Sequence, residues 1–274
     1  MMQVTPVPRP DGLPAAPVYA YTGGRPFDPT LPCVVFLHGA LNDHSVWTLC
    51  ARWFAHHGNS VLALDLPGHG RSAGAPLPSV AALGRWVLQV LDALDVARAA
   101  VVGHSMGSLI ALETAAQGGE RIDRLVMVAT AYPMKVSREL LDTARDAPLV
   151  AIDRVNVYTH AGLAPKPSYP SPGNWLRGGN RALMRRLQNA STEVNLFHHD
   201  FGVCDAYADG LNAAARVQCP AHLVLGSRDQ MTAPRQADEL ARALKATVQR
   251  IDAGHALMAE APDPTLAALR RALA

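Results

Sequence analysis

Short runs of almost continuous apolar residues recur along the chain. The clear runs are 33–39 (CVVFLHG), 60–66 (SVLALDL), 99–105 (AAVVGHS), 124–130 (RLVMVAT) and 221–227 (AHLVLGS), and 247–253 (TVQRIDA) is a weaker one. Strands that helices cover on both faces have this composition, because neither face meets water. The pattern therefore predicts five buried strands and a weaker sixth.

Amphipathic stretches of helical length lie between these runs. They occupy 44–57, 79–94, 106–117 and 234–246. Regular alternation of strand and helix is typical of a parallel α/β sheet with right-handed crossovers. A hairpin-like segment near the start, PVYAYTGG at 17–24, adds a possible antiparallel edge strand.

The alternation stops once, between about Tyr132 and Val217. Only helical stretches occur there, at 137–160 and 181–207, with the turn-rich segment 164–180 between them. We therefore expect a core formed by 1–131 and 217–274, with 132–216 inserted between the sixth and seventh strands as a helical cap. The alternative is a loop-rich decoration with no role in binding.

The cap region is rich in aromatic residues, which either line an apolar pocket or pack the cap onto the sheet. They are Tyr132, Tyr158, Tyr169, Trp175, Phe197, Phe201 and Tyr207.

Charge and composition exclude several classes of function. The net charge is +2 with no basic stripe, which makes nucleic acid an improbable partner. No run of about 18 apolar residues is present, so we expect no membrane span, and 1–24 lacks the apolar region of a signal peptide. The four cysteines are far apart and contain no CxxC pair. They indicate free thiols and a cytoplasmic location rather than disulfides or a zinc site.

Ser105 lies where the third clear run ends and a helix begins. Gly103 and Gly107 stand two residues before and two after it, in the pattern G-x-S-x-G. Small residues at these places allow the sharp strand-to-helix turn that lifts a serine hydroxyl clear of a sheet edge. The helix that follows directs its N-terminal amides towards the same point. The alternative is a small-residue turn with a capping serine.

A serine hydroxyl is a weak nucleophile at neutral pH and needs a nearby base. Of the eleven histidines, His255 is singled out because it follows the weak last strand, in IDAGHALMAEAPD. Asp229 follows the preceding strand and is the candidate acid that orients the imidazole. Alternatively, Asp229 is an ordinary turn aspartate and His255 an ordinary loop histidine.

Acyl transfer also requires donors for the developing oxyanion. The N–H of Met106, directly after the serine, is the first candidate. The second is the N–H of Ala40, in the loop after CVVFLHG. No metal is expected: the neighbouring His198, His199 and Asp200 do not share one helix face.

Together these segments resemble the α/β-hydrolase superfamily, in its small single-domain bacterial branch of serine esterases. The resemblance rests on FLHGALNDHSVW, LALDLPGHGRS, VVGHSMGSLIAL, LVLGSRDQMTAP and AGHALMAEAPD, which run in the family's order. It implies an eight-stranded, mostly parallel sheet flanked by helices, with a helical cap over the active site. It also implies hydrolysis through a covalent acyl-enzyme without a cofactor.

We therefore expect a serine hydrolase that cleaves a small neutral carboxylic ester or thioester through an acyl-enzyme on Ser105. Its partner is then a small ester-like molecule. Two alternatives use the same three residues. One is an acyltransferase, in which an alcohol or thiol replaces water, and the other is a ligand-binding receptor with slow turnover.

Overall fold

In the computed structural model, which describes residues 2–12, 14–162 and 175–274, eight strands form one sheet in the order β1-β2-β4-β3-β5-β6-β7-β8. The strands are β1 Met2–Val7, β2 Ala16–Tyr21, β3 Cys33–Leu37, β4 Ser60–Leu64, β5 Ala99–His104, β6 Ile122–Val128, β7 Ala221–Gly226 and β8 Thr247–Ile251. Strands β3 to β8 run parallel, whereas β1 and β2 form an antiparallel edge. The predicted fold class is confirmed.

Eleven α-helices accompany these strands in the described residues. They are α1 Thr48–Ala55, α2 Val80–Ala93, α3 Met106–Gly118, α4 Arg138–Asp146, α5 Pro148–Thr159, α6 Leu176–Ala190, α7 Leu196–Ala206, α8 Gly210–Arg216, α9 Asp238–Ala243, α10 Leu257–Glu260 and α11 Pro262–Ala272. None of them combines the length and the apolar character that crossing a bilayer requires.

Neighbouring residues of each central strand point to opposite faces of the sheet. In β3, Val35 and Leu37 pack with α2, α3 and α9, whereas Val34 and Phe36 pack with α1 and α11. Both faces are therefore buried, which explains why the strands read as continuous apolar runs. β8 lies at the edge with several exposed residues, which explains its weaker pattern.

The helices between β6 and β7 have an apolar cluster of their own. It joins α4 to α7 through Ala144, Ile152, Leu187 and Phe197. Leu41, from the loop after β3, is also fully buried in this cluster. Helix α8 lies outside it and packs against α3, as part of the main core.

Two helical stretches differ in detail from the sequence pattern. The stretch 137–160 is two helices, because Ala147 leaves the helical conformation (φ −146°, ψ 67°) before Pro148, and Pro148 begins α5. The end of the turn-rich segment is helical, since α6 already begins at Leu176. Here packing against α5 outweighs the low helix propensity of two glycines. The part of that segment from 164 to 174, which includes Tyr169, lies outside the described residues.

All four cysteines are unpaired. Cys33, Cys50 and Cys204 are buried, and Cys219 is partly buried. Burial raises the pKa of Cys33 and of Cys50 to about 12, so both remain protonated thiols that pack as small apolar groups.

Candidate active site

Four loops leave the sheet at the same edge, because the strands that precede them run parallel. They follow β3, β5, β7 and β8, and they carry Ala40, Ser105, Asp229 and His255 respectively. A ligand site at the carboxyl ends of parallel strands is typical of α/β sheets.

Ser105 occupies a tight turn between β5 and α3. Its φ of 54° lies in the left-handed region, which a non-glycine residue adopts only when its surroundings hold it there. Its N–H donates to the Val128 carbonyl oxygen at 2.9 Å. Glycine is required on steric grounds at both Gly103 and Gly107. A Cβ on Gly103 would lie 1.9 Å from the Gly107 carbonyl oxygen, and a Cβ on Gly107 would lie 2.4 Å from the Leu37 carbonyl oxygen.

We expect Gly103→Ala to destabilise the fold by more than about 4 kcal/mol, because its methyl group overlaps backbone that cannot rotate away. Gly202→Ala in α7 is the matched control. A Cβ there has no neighbouring atom within 4 Å, so this change stabilises the helix slightly. Urea unfolding of both variants tests this. Equal stabilities of the two would contradict the steric account of the turn.

His255 and Asp229 form a buried hydrogen-bonded pair. His255 Nδ1 lies 2.8 Å from Asp229 Oδ2, and Asp229 Oδ1 accepts the N–H groups of Met231 and Thr232 at 2.8 and 2.9 Å. Burial alone raises the pKa of Asp229, but the charge and hydrogen bond of His255 outweigh it. The pKa therefore lies below its usual value, and Asp229 is a carboxylate that accepts the Nδ1 proton.

Two further side chains support this pair. Thr232 Oγ1 donates to Asp229 Oδ2 at 2.7 Å and lies 3.2 Å from His255 Nδ1. His104 Nε2 donates to the His255 carbonyl oxygen at 2.8 Å. Burial, with the nearby His255, lowers the pKa of His104 to about 3, so His104 is a neutral donor. Thr232 could not be predicted from the sequence, since nothing in RDQMTAP distinguishes this threonine.

The loop after β3 passes directly behind the serine. A Cβ on Gly39 would lie 3.0 Å from His104 Nδ1 and 3.1 Å from the Ser105 Cβ, so a larger residue would fit only if these side chains moved. His38 Nε2 accepts the Leu66 N–H at 3.1 Å, and Nδ1 donates to the Gly39 carbonyl oxygen at 2.8 Å. Burial lowers the pKa of His38 to about 4, in agreement with this neutral form. A neutral ring thus fixes the start of the loop that carries Ala40.

Met106 is the first residue of α3, so its N–H has no partner within the helix. Ala40 and Ser105 both line the cavities described next. Ala40 therefore shares both cavities with Ser105, and Met106 follows Ser105 directly along the chain, so their N–H groups stay the predicted oxyanion donors.

Two cavities, of about 330 and 590 Å³, meet at the serine. Both are lined by Ala40, Ser105, Val155, Phe201, Met231 and His255. The smaller cavity extends over apolar side chains of α1, α6 and α10, among them Leu49, Leu183 and Met258. The larger extends over the start of the insertion, with Met134, Leu140, Arg154 and Tyr158. Of the predicted cap aromatics, Tyr158 and Phe201 line these cavities in the described residues, while Phe197 belongs to the cluster beneath.

The described residues hold one cluster with metal-ligand side chains, Asp43, His44 and Asp65. Its oxygen atoms already accept hydrogen bonds. Asp65 accepts from the N–H groups of His44 and Arg71, each at 2.8 Å, and shapes the turn at Gly70. The side chains of the triplet His198, His199 and Asp200 do not converge on one point either. Asp200 contacts His69, and His199 contacts the Leu77 carbonyl oxygen.

A family model described as "Alpha/beta hydrolase family" matches residues 34–268. The chain belongs to the alpha/beta hydrolase family. This confirms the predicted superfamily, and the matched region includes the insertion.

Solved structures with the same fold include proteins named as an enol-lactonase and as an esterase. An enol-lactonase from Burkholderia xenovorans LB400 has a TM-score of 0.74 and 22% identity, covering 94% of this chain and 96% of that one. An esterase from Exiguobacterium antarcticum has a TM-score of 0.77 and 16% identity, covering 98% and 99%. At these identities the likeness concerns the fold.

Curated relatives match over shorter segments. A 2-succinyl-6-hydroxy-2,4-cyclohexadiene-1-carboxylate synthase of Salmonella typhimurium is 38% identical over 93 residues, which is 34% of this chain and 36% of that protein. A dihydrolipoyllysine-residue acetyltransferase component of an acetoin cleaving system, from Pseudomonas putida, is 38% identical over 99 residues. The alignment covers 36% of this chain and 26% of that relative. The chain thus spans between a quarter and about a third of the length of these relatives.

Proposed function

We propose that the protein is a serine hydrolase that cleaves small neutral carboxylic esters or thioesters. The observation that carries this proposal is that His255, which is paired with Asp229, lines the same cavity as Ser105 at its strained turn. Family membership, together with neighbours named as an esterase and a lactonase, supports an enzyme that hydrolyses ester bonds.

Each residue has a defined step in this mechanism. Ser105 Oγ attacks the carbonyl carbon while His255 takes its proton, and Asp229 stabilises the resulting imidazolium. The N–H groups of Ala40 and Met106 stabilise the oxyanion. His255 returns the proton to the leaving alcohol or thiol, which leaves the acyl group on Ser105. Water, activated by His255, then attacks this ester and releases the acid.

The cavities support a neutral substrate with two arms. Leu49, Leu183 and Met258 offer an apolar surface on one side of Ser105. On the other side, the Arg154 guanidinium already pairs with Glu139 at 2.7 Å, and Lys135 donates to the Asp205 carbonyl oxygen at 2.6 Å. These cations are therefore engaged within the chain, which disfavours a polyanionic substrate.

Helices α5, α6 and α7 supply Val155, Leu183 and Phe201 to these walls. We therefore propose that the region 132–216 acts as a cap that shapes the pocket. Its last helix, α8, is the exception, since it packs on the core. The unpaired thiols support a reducing compartment, the cytoplasm, as the place of action.

A pair of variants tests the two-armed pocket. Leu183→Trp narrows the smaller cavity, and Leu140→Trp, its matched counterpart, narrows the larger. Two substrate series are compared: p-nitrophenyl acyl esters, which lengthen the acyl arm, and alkyl acetates, which lengthen the alcohol arm. We expect each variant to lower kcat/KM about tenfold or more for the long members of one series and to leave the other series unchanged. If neither variant changes either series, the substrate does not use these cavities.

Product analysis with added alcohols distinguishes hydrolysis from acyl transfer. This control is needed because one curated relative is named as an acetyltransferase component. We expect the free acid as the main product at every alcohol concentration. New esters as the main product would replace the hydrolase with an acyltransferase.

A further inference from the structure

A buried ion pair joins the insertion to the core next to the candidate site. Asp200 of α7 and His69, from the loop after β4, are each about 2% exposed, and Asp200 Oδ2 lies 2.8 Å from His69 Nε2. His69 Nδ1 lies 3.1 Å from the Pro67 carbonyl oxygen. Both ring nitrogens face acceptors, so the ring carries both protons. Burial lowers the pKa of His69, but the Asp200 charge outweighs it and the pKa is raised.

The same carboxylate oxygen also binds the loop that carries Ala40. Asp200 Oδ2 accepts the Leu41 N–H at 2.7 Å. Leu41 has a φ of 50°, in the left-handed region that a leucine adopts only when it is held there. The peptide between Ala40 and Leu41 is planar, so the bond to Asp200 fixes the orientation of the Ala40 carbonyl group and the position of the Ala40 Cα. The Ala40 N–H belongs to the preceding peptide, which meets this plane at the Ala40 Cα, so the bond restrains that N–H through the shared atom.

Two other contacts hold this loop from the side of the insertion. The Leu41 side chain is fully buried among residues of α5, α6 and α7. Arg186 of α6 binds the buried Asp43 carboxylate at 2.5 Å. The segment 40–43 is therefore held on one side by the strand that precedes it and on the other by the insertion.

We propose that Asp200 is a positioning residue for the oxyanion hole, which makes the insertion part of the catalytic apparatus. Through the Leu41 N–H, Asp200 sets the direction of the Ala40 N–H, and His69 keeps the carboxylate in place. The hole is complete only while α7 is seated on the loop. This inference rests on the proposed function.

Asp200→Ala tests the proposal, with Asp153→Ala as the matched control. Asp153 also forms ion pairs within the insertion, with Arg181 and Arg185, and none of its described polar contacts reaches the segment 40–43. The readouts are kcat and KM for p-nitrophenyl butyrate and the Ki of an alkylboronic acid, whose tetrahedral serine adduct places an oxygen in the hole. We expect Asp200→Ala to lower kcat about 10- to 100-fold, because a donor is displaced rather than lost.

The Ki of the boronic acid should rise by a similar factor in Asp200→Ala while KM changes less than about threefold. Asp153→Ala should leave all three values within about twofold of the unchanged protein. A merely structural role for Asp200 would reduce the amount of folded protein without this selective loss of boronic acid affinity.

Asp200→Ala leaves a buried imidazolium without a partner and can unfold the chain. Two further variants remove this difficulty. His69→Phe/Asp200→Leu removes both charges together but still deprives the Leu41 N–H of its acceptor. Arg186→Ala changes an exposed side chain and should give a smaller loss in the same two readouts.

Unchanged kcat and boronic acid affinity in a folded Asp200 variant, single or double, overturn the inference, as does an equal loss in Asp153→Ala. If both Asp200 variants are unfolded, Arg186→Ala decides, and an unchanged Arg186→Ala overturns it. Failure of the proposed function itself appears differently, as full activity in Ser105→Ala.

Discussion

Ser105→Ala is expected to lower kcat for p-nitrophenyl butyrate by a factor on the order of 10⁴ to 10⁶ and to abolish the burst of p-nitrophenol. The hydroxyl at residue 105 is the atom that forms the acyl-enzyme in this account, and an alanine methyl group cannot replace it. Burst-phase kinetics in a stopped-flow spectrophotometer give both quantities.

Ser108→Ala is the matched control for this loss, since it removes a serine hydroxyl three residues later, in α3. Ser108 Oγ donates to the Ser105 carbonyl oxygen and supports the turn without reaching the cavities in the described structure. We expect activity within about tenfold of the original value. An undiminished burst in Ser105→Ala would assign the nucleophile to another residue.

Asp229→Asn should have the second largest effect, a loss in kcat on the order of 10⁴. Asp229 Oδ1 accepts two backbone N–H groups, so the new amide turns its oxygen to them and its NH₂ group towards His255. The NH₂ group of the asparagine is a hydrogen-bond donor that then faces the Nδ1–H donor of His255. The imidazole therefore changes tautomer, so that Nδ1 accepts this bond and Nε2 carries the proton. The ring can no longer accept the serine proton.

The control for Asp229→Asn is Asp252→Asn, close to the same loop. Asp252 is about 81% exposed and pairs only at the surface with Arg228, so we expect activity within about twofold. Steady-state kinetics across pH 5 to 9 measure both variants. Near-normal activity of Asp229→Asn throughout this range would show that the carboxylate does not orient the base.

Much of the fold is predictable from the sequence because its strands are buried on both faces. An apolar run such as 33–37 is typical of a strand with both faces covered, and all five of its residues are buried in the sheet. Strand β1 was not predicted individually, since MQVTPV contains a proline and pairs only at the sheet edge. Edge strands leave a weaker pattern than central ones.

The candidate site follows the same rule. Ser105, Asp229 and His255 could be proposed because each directly follows a predictable strand, and parallel strands bring their carboxyl ends together. The contact of Asp200 with the loop that carries Ala40 could not be predicted from the sequence. It lies 131 residues from His69 and 159 from Leu41, inside a helical region whose packing no local pattern specifies. The neighbouring histidines in HHDF raised only the question of a metal site, which the helix geometry disfavours.

Labelling with a fluorophosphonate, followed by mass spectrometry of the intact protein and its peptides, tests the proposed catalytic triad of Ser105, His255 and Asp229 most directly. A phosphonyl group that attaches once, on the peptide carrying residue 105, and not at all to the alanine variant is the expected result. Attachment at a different side chain, or an esterase that stays active and unlabelled, would mean that the alcohol, the imidazole and the carboxylate do not act together.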